Sequence, residues 1–304
     1  MTYHRRWADP ASAQRYPLPA REQAAFRQAV QGWEWRQALP SLASGHIVAA
    51  SLSAADVRRH QWRIEHQGES WPLLPVPSTK GERPDRSAPA PRISTHIDCW
   101  HTHARIDGAE LVLWLSEPPD AYLISVSARP LTLAPTLPDP ADRFADTPRA
   151  LSQKTASADI RHHICSPTSV AMVLEGSAPD TITTLCRDEA TGMFGSWALA
   201  IRSAARHEAV GAVELMSGWQ EAERVLDAGL PFCASIRFEK GALPGAPLER
   251  TGGHLVVVHG LAEGNVLVHD PAAPSAAEVP RRYDAEAFTH AWLSHRGASY
   301  IIVP

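Results

Sequence analysis

His163-Ile164-Cys165-Ser166-Pro167-Thr168-Ser169-Val170-Ala171-Met172-Val173-Leu174 is a short apolar run that opens on a thiol. Pro167 fits the first turn of a helix, where its missing N–H costs nothing. Val170, Ala171, Val173 and Leu174 give that helix a face to bury. A helix starting at Cys165 sets unpaired backbone N–H groups and the positive end of the helix dipole beside the sulfur. A free thiol, with a pKa near ~8.5, is mostly protonated at neutral pH, and this setting favours the thiolate. The run therefore fixes Cys165 on a rigid element with its sulfur at the helix start, as a nucleophile requires.

Two later segments supply partners. They are Gly252-Gly253-His254-Leu255-Val256-Val257-Val258 and Val266-Leu267-Val268-His269-Asp270-Pro271. Leu255 to Leu261 and Val266 to His269 read as a hairpin turning at Glu263-Gly264-Asn265. His254 begins one strand and Asp270 ends the other. Positions symmetric about an antiparallel turn face each other, so both side chains fall at the open end of the hairpin. Nucleophile, base and orienting acid then occur in the order Cys165, His254, Asp270. Gly252 and Gly253 would admit a close backbone or a substrate. The competing histidines are placed less well. His162 and His163 lie on the loop entering the helix, His259 sits near the turn, and His269 points to the opposite face. Cys99, Cys186 and Cys233 lack a helix start and read as buried structural thiols.

Outward from this core the chain divides. Ala20 to Val30 carries a helical pattern within an arm covering residues 1–31. Short strand-like runs follow at Gly45 to Leu52, Gln61 to His66, Arg92 to Arg105, Ala109 to Ser116 and Ala121 to Arg129. Asp107-Gly108 signals a hairpin between two of them. Pro75 to Pro91 reads as an exposed loop. Seven of the ten tryptophans lie in this half, which favours a packed antiparallel β-sandwich. Residues 131–148, rich in Pro and Asp, read as a linker. Beyond it come an amphipathic segment from Ser196 to His207 and a capping box at Ser217-Gly218-Trp219-Gln220 whose helix stops at Gly229. A strand follows from Pro231 to Phe238, then a helix capped by Asp284, and a closing strand from Ala298 to Val303. The expected architecture is α+β, with a β-sandwich-like domain at 1–145 and a second domain at 149–304.

Composition narrows the function classes. The chain has 304 residues, 44% hydrophobic, and a formal charge of −4. That charge offers no footprint for nucleic acid, and no run reaches the roughly twenty apolar residues of a membrane helix. No signal peptide is visible at Met1 to Trp7, and four scattered cysteines suit a reducing compartment, so the expected location is cytoplasmic.

The second half resembles stand-alone bacterial relatives of the bacteriocin-leader-processing, double-glycine peptidases, a family with a papain-like fold. The resemblance rests on Leu151-Ser152-Gln153, Cys165 to Leu174, Gly195-Ser196-Trp197, Gly253-His254-Leu255-Val256-Val257 and Val268-His269-Asp270-Pro271. It implies a cysteine peptidase with Cys165, His254 and Asp270 as its triad and Gln153 as an oxyanion donor. It also implies Trp197 and Gly253 in the substrate groove, a peptide or amide as substrate, and no cofactor. Two details depart from the family pattern: the helix opens Cys-Ser-Pro instead of Cys-Gly-Pro, and Gln153 lies unusually far ahead of Cys165.

Rival readings use the same sequence. His96, Cys99, His101 and His103 are zinc-type ligands on one stretch, but no second cluster completes a site, and an ordinary polar strand is the reading taken. An inactive peptide-binding protein of the same fold, and an acyl transferase to amine acceptors, are the alternatives to hydrolysis.

Overall fold

The structure, a computed structural model, describes residues 2–20, 23–83 and 92–304. Among these residues there are three sheets, and every strand pairing in them is antiparallel. Two five-stranded sheets belong to the first half. One centres on His46–Ser53, flanked by Leu123–Pro130 and Cys99–Thr102. The other centres on Glu110–Leu115, flanked by Trp33–Ala38 and His60–His66. Their facing residues form one apolar cluster in which Trp7, Trp35 and Trp62 meet edge to face. The tryptophans thus lie mostly inside, where their large apolar area contributes most.

The second half is built on a seven-stranded sheet. Its strands run in the spatial order Val210–Leu215, Ala298–Val303, Phe232–Phe238, Thr251–Ala262, Asn265–His269 and Pro280–Asp284. Helices Cys165–Val173 and Trp197–Ala205 share one apolar cluster with it, and Trp219–Asp227 and Ala285–Leu293 share another. The fold is therefore mixed α/β with antiparallel sheets, as the sequence pattern implied. Among the described residues no helix is long and apolar enough to cross a membrane.

Several local expectations are corrected. Ala20 to Val30 is not helical where described: Arg27–Gln28 is a short strand, and the Ala24 N–H donates to the Tyr122 hydroxyl. The helix of this arm is Pro10–Arg15, where Asp9 caps the N-terminus and Pro10 takes the first position. Asp107-Gly108 does turn, with Gly108 at φ 76°, but it joins strands of different sheets. Cys99–Thr102 pairs with His46–Ser53, whereas Glu110–Leu115 pairs with Trp33–Ala38 and His60–His66. A turn dipeptide specifies the reversal of the chain and not the partner chosen afterwards. The Pro75 to Pro91 loop is anchored at its start, since Val76 is buried and Ser78 donates to Asp188; residues 84–91 lie outside the described residues. Ser217 does not cap: the helix starts at Trp219 with Gly218 as its N-cap and no side-chain cap bond.

The two halves meet along Val210–Leu215. Glu214, fully buried on this strand, accepts from Arg6 Nε (2.7 Å) and Nη2 (3.0 Å), Tyr16 Oη (3.1 Å), Ser125 Oγ (2.9 Å) and Ser127 Oγ (3.2 Å). All four partners come from the first half. Burial alone would raise the carboxyl pKa, but the Arg6 charge and these donors hold it far below the ordinary range. The N–H groups of Gly211 and Val213 on the same strand donate to Ser53 and Ser51 Oγ at 3.1 and 3.0 Å. Within residues 131–148, Arg143–Phe144 pairs with Gly260 and Leu261, so this stretch adds to the second sheet.

Glu214→Gln removes the buried carboxylate of the Arg6 guanidinium and leaves Glu221, 3.0 Å from Nη2, as its remaining acid. The expected loss of stability is about 3–5 kcal/mol, the scale for breaking one side of a buried pair, read by urea denaturation. Because the folded carboxyl is held low, its contribution is present above the unfolded value of ~4.3 and is lost as pH falls toward the folded value. The wild type and the Gln variant should therefore converge in stability at acid pH.

Candidate active site

Cys165 is the first residue of the Cys165–Val173 helix, and every later residue of that helix is buried. The helix is fixed at both ends of its first turns. Ser166 Oγ lies 3.1 Å from Tyr300 Oη, and Ser169 Oγ donates to the Leu255 carbonyl at 3.2 Å. The Ser that replaces Gly after the thiol thus has a defined buried role. Leu255 adjoins His254, so the Ser169 bond holds the helix against the strand that carries the imidazole.

His254 and Asp270 meet as the hairpin implied, by a slightly different route. The pairing register shifts between Val258 and Gly260, and Asp270 falls one residue beyond the end of Asn265–His269. The side chains close the remaining distance, with His254 Nε2 2.7 Å from Asp270 Oδ1. Both are buried, at 3% and 1% exposure. Asp270 Oδ1 also accepts from the Ala272 N–H at 2.9 Å, and Tyr283 Oη donates to Oδ2 at 2.7 Å. With Nε2 engaged, Nδ1 is the ring nitrogen left for Cys165, and thiol and imidazole each shift the ionisation of the other.

The electrostatics follow from this chain of contacts. Burial raises the Cys165 pKa, but the hydrogen bond and charge of His254, with the Leu255 and Ser166 N–H groups, outweigh it and bring the thiol below its ordinary value. Burial lowers the His254 pKa, but Asp270 and the Cys165 sulfur reverse this and raise it to about 10. Burial opposes ionisation of Asp270 too, and His254, Tyr283 and Ala272 overcome it. These shifts move the pair toward thiolate and imidazolium, with the Asp270 carboxylate behind them. Cys99 and Cys186 show the contrast, since burial pushes each up to about 12; burial also raises Cys233.

Gln153 opens a short 3-10 turn and is buried. Its N–H donates to the Pro271 carbonyl at 2.9 Å, and its Nε2 donates to the Arg161 carbonyl at 2.8 Å. It therefore links the loop after Asp270 to the loop leading into Cys165. Trp197 and Gly253 both line a cleft of about 1300 Å³ that contains Cys165. A side chain at Gly253 would meet nothing within 4 Å, so the strand is open to the cleft at this position. His163 and His162 also line the cleft. His259 and His269 pack ring to ring, 4.9 Å apart, and His269 Nδ1 contacts the Arg149 carbonyl.

Two contributors escaped the sequence reading. Tyr283 carries no motif, and only the pairing of Pro280–Asp284 with Asn265–His269 brings it to Asp270. The first half also supplies cleft wall: Thr95, His96, Ile97, Asp98, Cys99 and His101 line it. Among the described residues no group of three or more His, Cys, Asp or Glu is arranged to hold a metal. His101 Nε2 is 3.9 Å from Cys99 Sγ, and His103 Nε2 is 2.8 Å from Ser94 Oγ.

The site thus sets a thiol at a helix start beside a buried His–Asp pair within a mixed α/β fold. A sequence model of the Peptidase_C39 like family matches residues 148–300, half of the chain, and the chain belongs to that family. Among solved structures, similarity is found to a double glycine motif protease from an AMS/PCAT transporter, crystallised with its leader peptide. That match has 15% identity and a TM-score of 0.36, and covers 53% of this chain and 98% of the other. A protein described as a C39-like peptidase from Bacillus anthracis is similar at 14% identity and a TM-score of 0.41, over 54% and 98% of the two chains. No curated protein matches.

Iodoacetamide at mildly acidic pH should modify Cys165 well before Cys99, Cys186 and Cys233, as mapped by peptide mass spectrometry. The Cys165 rate should fall only as pH drops through its lowered value, and His254→Ala should move that midpoint upward. Equal labelling of all four thiols would contradict the assigned ion pair.

Proposed function

We propose that the protein is a papain-like cysteine peptidase or amidohydrolase that cleaves a peptide or amide bond through a thioester acyl-enzyme. The observation that carries this reading is the 2.7 Å contact of His254 Nε2 with Asp270 Oδ1, together with a Cys165 thiol that the same imidazole brings below its ordinary pKa. In this mechanism Cys165 Sγ attacks the scissile carbonyl carbon. The electron pair of the C=O bond moves to oxygen, and the His254 imidazolium gives its proton to the departing amine as the C–N bond breaks. Neutral His254 then takes a proton from water. The resulting hydroxide attacks the thioester, and the carboxylic acid leaves while the thiolate–imidazolium pair is restored. Asp270 fixes the ring orientation and stabilises the imidazolium throughout.

The oxyanion is assigned to the Cys165 backbone N–H and to Gln153. The Gln153 amide has two N–H donors, and the Arg161 carbonyl uses one of them. Trp197 and Gly253 are assigned to the substrate groove, on their place in the cleft. Residues 149–304 would carry the chemistry. Residues 1–145, a β-sandwich-like domain, would form one wall of the cleft and position the substrate. The four cysteines are unpaired, in keeping with a reducing compartment such as the cytoplasm.

Single replacements His254→Ala and Asp270→Ala should each lower acylation by orders of magnitude. The double variant should be little worse than the weaker single, because groups acting as one unit are not additive; full additivity or an active Asp270→Ala would refute the assignment. Gln153→Ala should lower turnover roughly a hundredfold, the scale for one oxyanion donor, while leaving the labelling rate of Cys165 nearly unchanged. Normal turnover in that variant would place the donor elsewhere.

A further inference from the structure

The cleft around Cys165 differs in charge from the molecule as a whole. The chain is formally −4, yet the cleft wall carries Arg187, Arg237 and Arg296 against two acids, Asp98 and Asp159. The acids are already engaged. Asp98 is half-buried, accepts from Ser196 Oγ at 3.0 Å, and caps the Trp197–Ala205 helix through the Trp197 and Ala198 N–H groups. Asp159 is bonded within its own loop, to Ser157 and Ile160. The arginines are not matched in the same way. Arg187 has only a distant, exposed partner in Glu189 at 3.9 Å. Arg237 and Arg296 are exposed, and neither forms an ion pair with a carboxylate among the described residues. Arg296 instead lies over the Trp197 ring, 6.0 Å from its centroid, which keeps its guanidinium over the groove and leaves its N–H fork unused.

Imidazoles around the cleft register the same field. Burial first, then His96, Arg296 and His103, push His101 down to about 4. Burial first, then Arg237, Arg129 and Arg296, lower His295 as well. Two guanidinium groups without carboxylate partners line the same cleft as the Cys165 sulfur, and together they have the chemistry of a carboxylate clamp.

We propose that the cleft selects a peptide carrying a carboxylate next to the bond to be cut, and that Arg237 and Arg296 hold that carboxylate. The proposal rests on Cys165 being the nucleophile. The carboxylate belongs either to an acidic side chain or to the end of the peptide chain, and both present the same two oxygens to an arginine fork. Arg237 and Arg296 are positioned to set substrate choice and leave bond cleavage to the triad.

The test compares alkylation of Cys165 by iodoacetate, an anion, with alkylation by the neutral iodoacetamide, each rate divided by that of a small free thiol. The imidazolium of His254 contributes to any anion preference, so the ratio is compared between variants of the full chain. Arg237→Glu and Arg296→Glu should each lower the iodoacetate-to-iodoacetamide ratio about threefold, and the double variant about tenfold, with the iodoacetamide rate nearly constant; such changes are the scale of exposed charge pairs. Arg237→Gln and Arg296→Gln should fall between, and Lys240→Glu, outside the cleft, should not change the ratio. The wild-type ratio should also shrink in high salt. Protection of Cys165 by short peptides then separates the two sources. Protection by a Glu-containing peptide with a blocked C-terminus assigns the side chain, and protection by a neutral peptide with a free C-terminus assigns the chain end. Equal protection by a neutral blocked peptide or a Lys-containing one overturns the proposal. Unchanged ratios at a reactive Cys165 overturn the carboxylate clamp alone, whereas a Cys165 no faster than Cys99, Cys186 and Cys233 removes the nucleophile and the clamp together.

Discussion

The carboxylate of Glu214 is the point on which the arrangement of the two halves depends. It lies on an edge strand of the second sheet with no solvent to stabilise it, and Arg6, Tyr16, Ser125 and Ser127 replace that solvent from across the junction. A buried charge with one partner missing is costly, so the first half cannot slide without leaving oxygen or guanidinium atoms unpaired. A specific register between the halves follows. That register sets His96, Asp98 and His101 into the cleft opposite Cys165.

The same logic of graded burial orders the site. Three titratable groups are drawn out of water in a chain of contacts, and each favours ionisation of the next. Tyr283 and the Ala272 N–H satisfy Asp270, Asp270 supports the imidazolium, and the imidazolium supports the thiolate. Asp98 shows the alternative outcome. Desolvation there outweighs the bonds from Ser196 and from the Trp197 and Ala198 N–H groups, and its pKa is raised to about 6. The partner placed beside a carboxylate thus decides the direction of its shift.

What was legible in the sequence was local. Cys165 at its helix start, the Glu263-Gly264 turn, with φ values of 52° and 73°, and the return of Asp270 toward His254 each depend on residues close in the chain. The β-bulge between Val258 and Gly260 was not legible, and the side chains absorbed it. Long-range choices were the illegible part. Asp107-Gly108 announced a reversal but not that the chain would change sheets. Ala20 to Val30 had helical spacing, but Ala24 takes the Tyr122 hydroxyl as a partner and the segment runs extended. Tyr283 reached Asp270 only through sheet order. The Arg237–Arg296 pair likewise arises from a strand and a distant loop that sequence spacing does not connect.

The Ser51 and Ser53 contacts to Val213 and Gly211 have a further consequence. An outermost strand normally offers a free row of N–H and C=O groups to any extended chain that drifts past. Here the hydroxyls of a neighbouring sheet occupy donors of that row, without themselves forming a ladder. The opposite border, Pro280–Asp284, is guarded by other means, with a proline and two arginines in its sequence. The first half therefore acts as a plug on that sheet border, and an extended chain meets no open row of donors there.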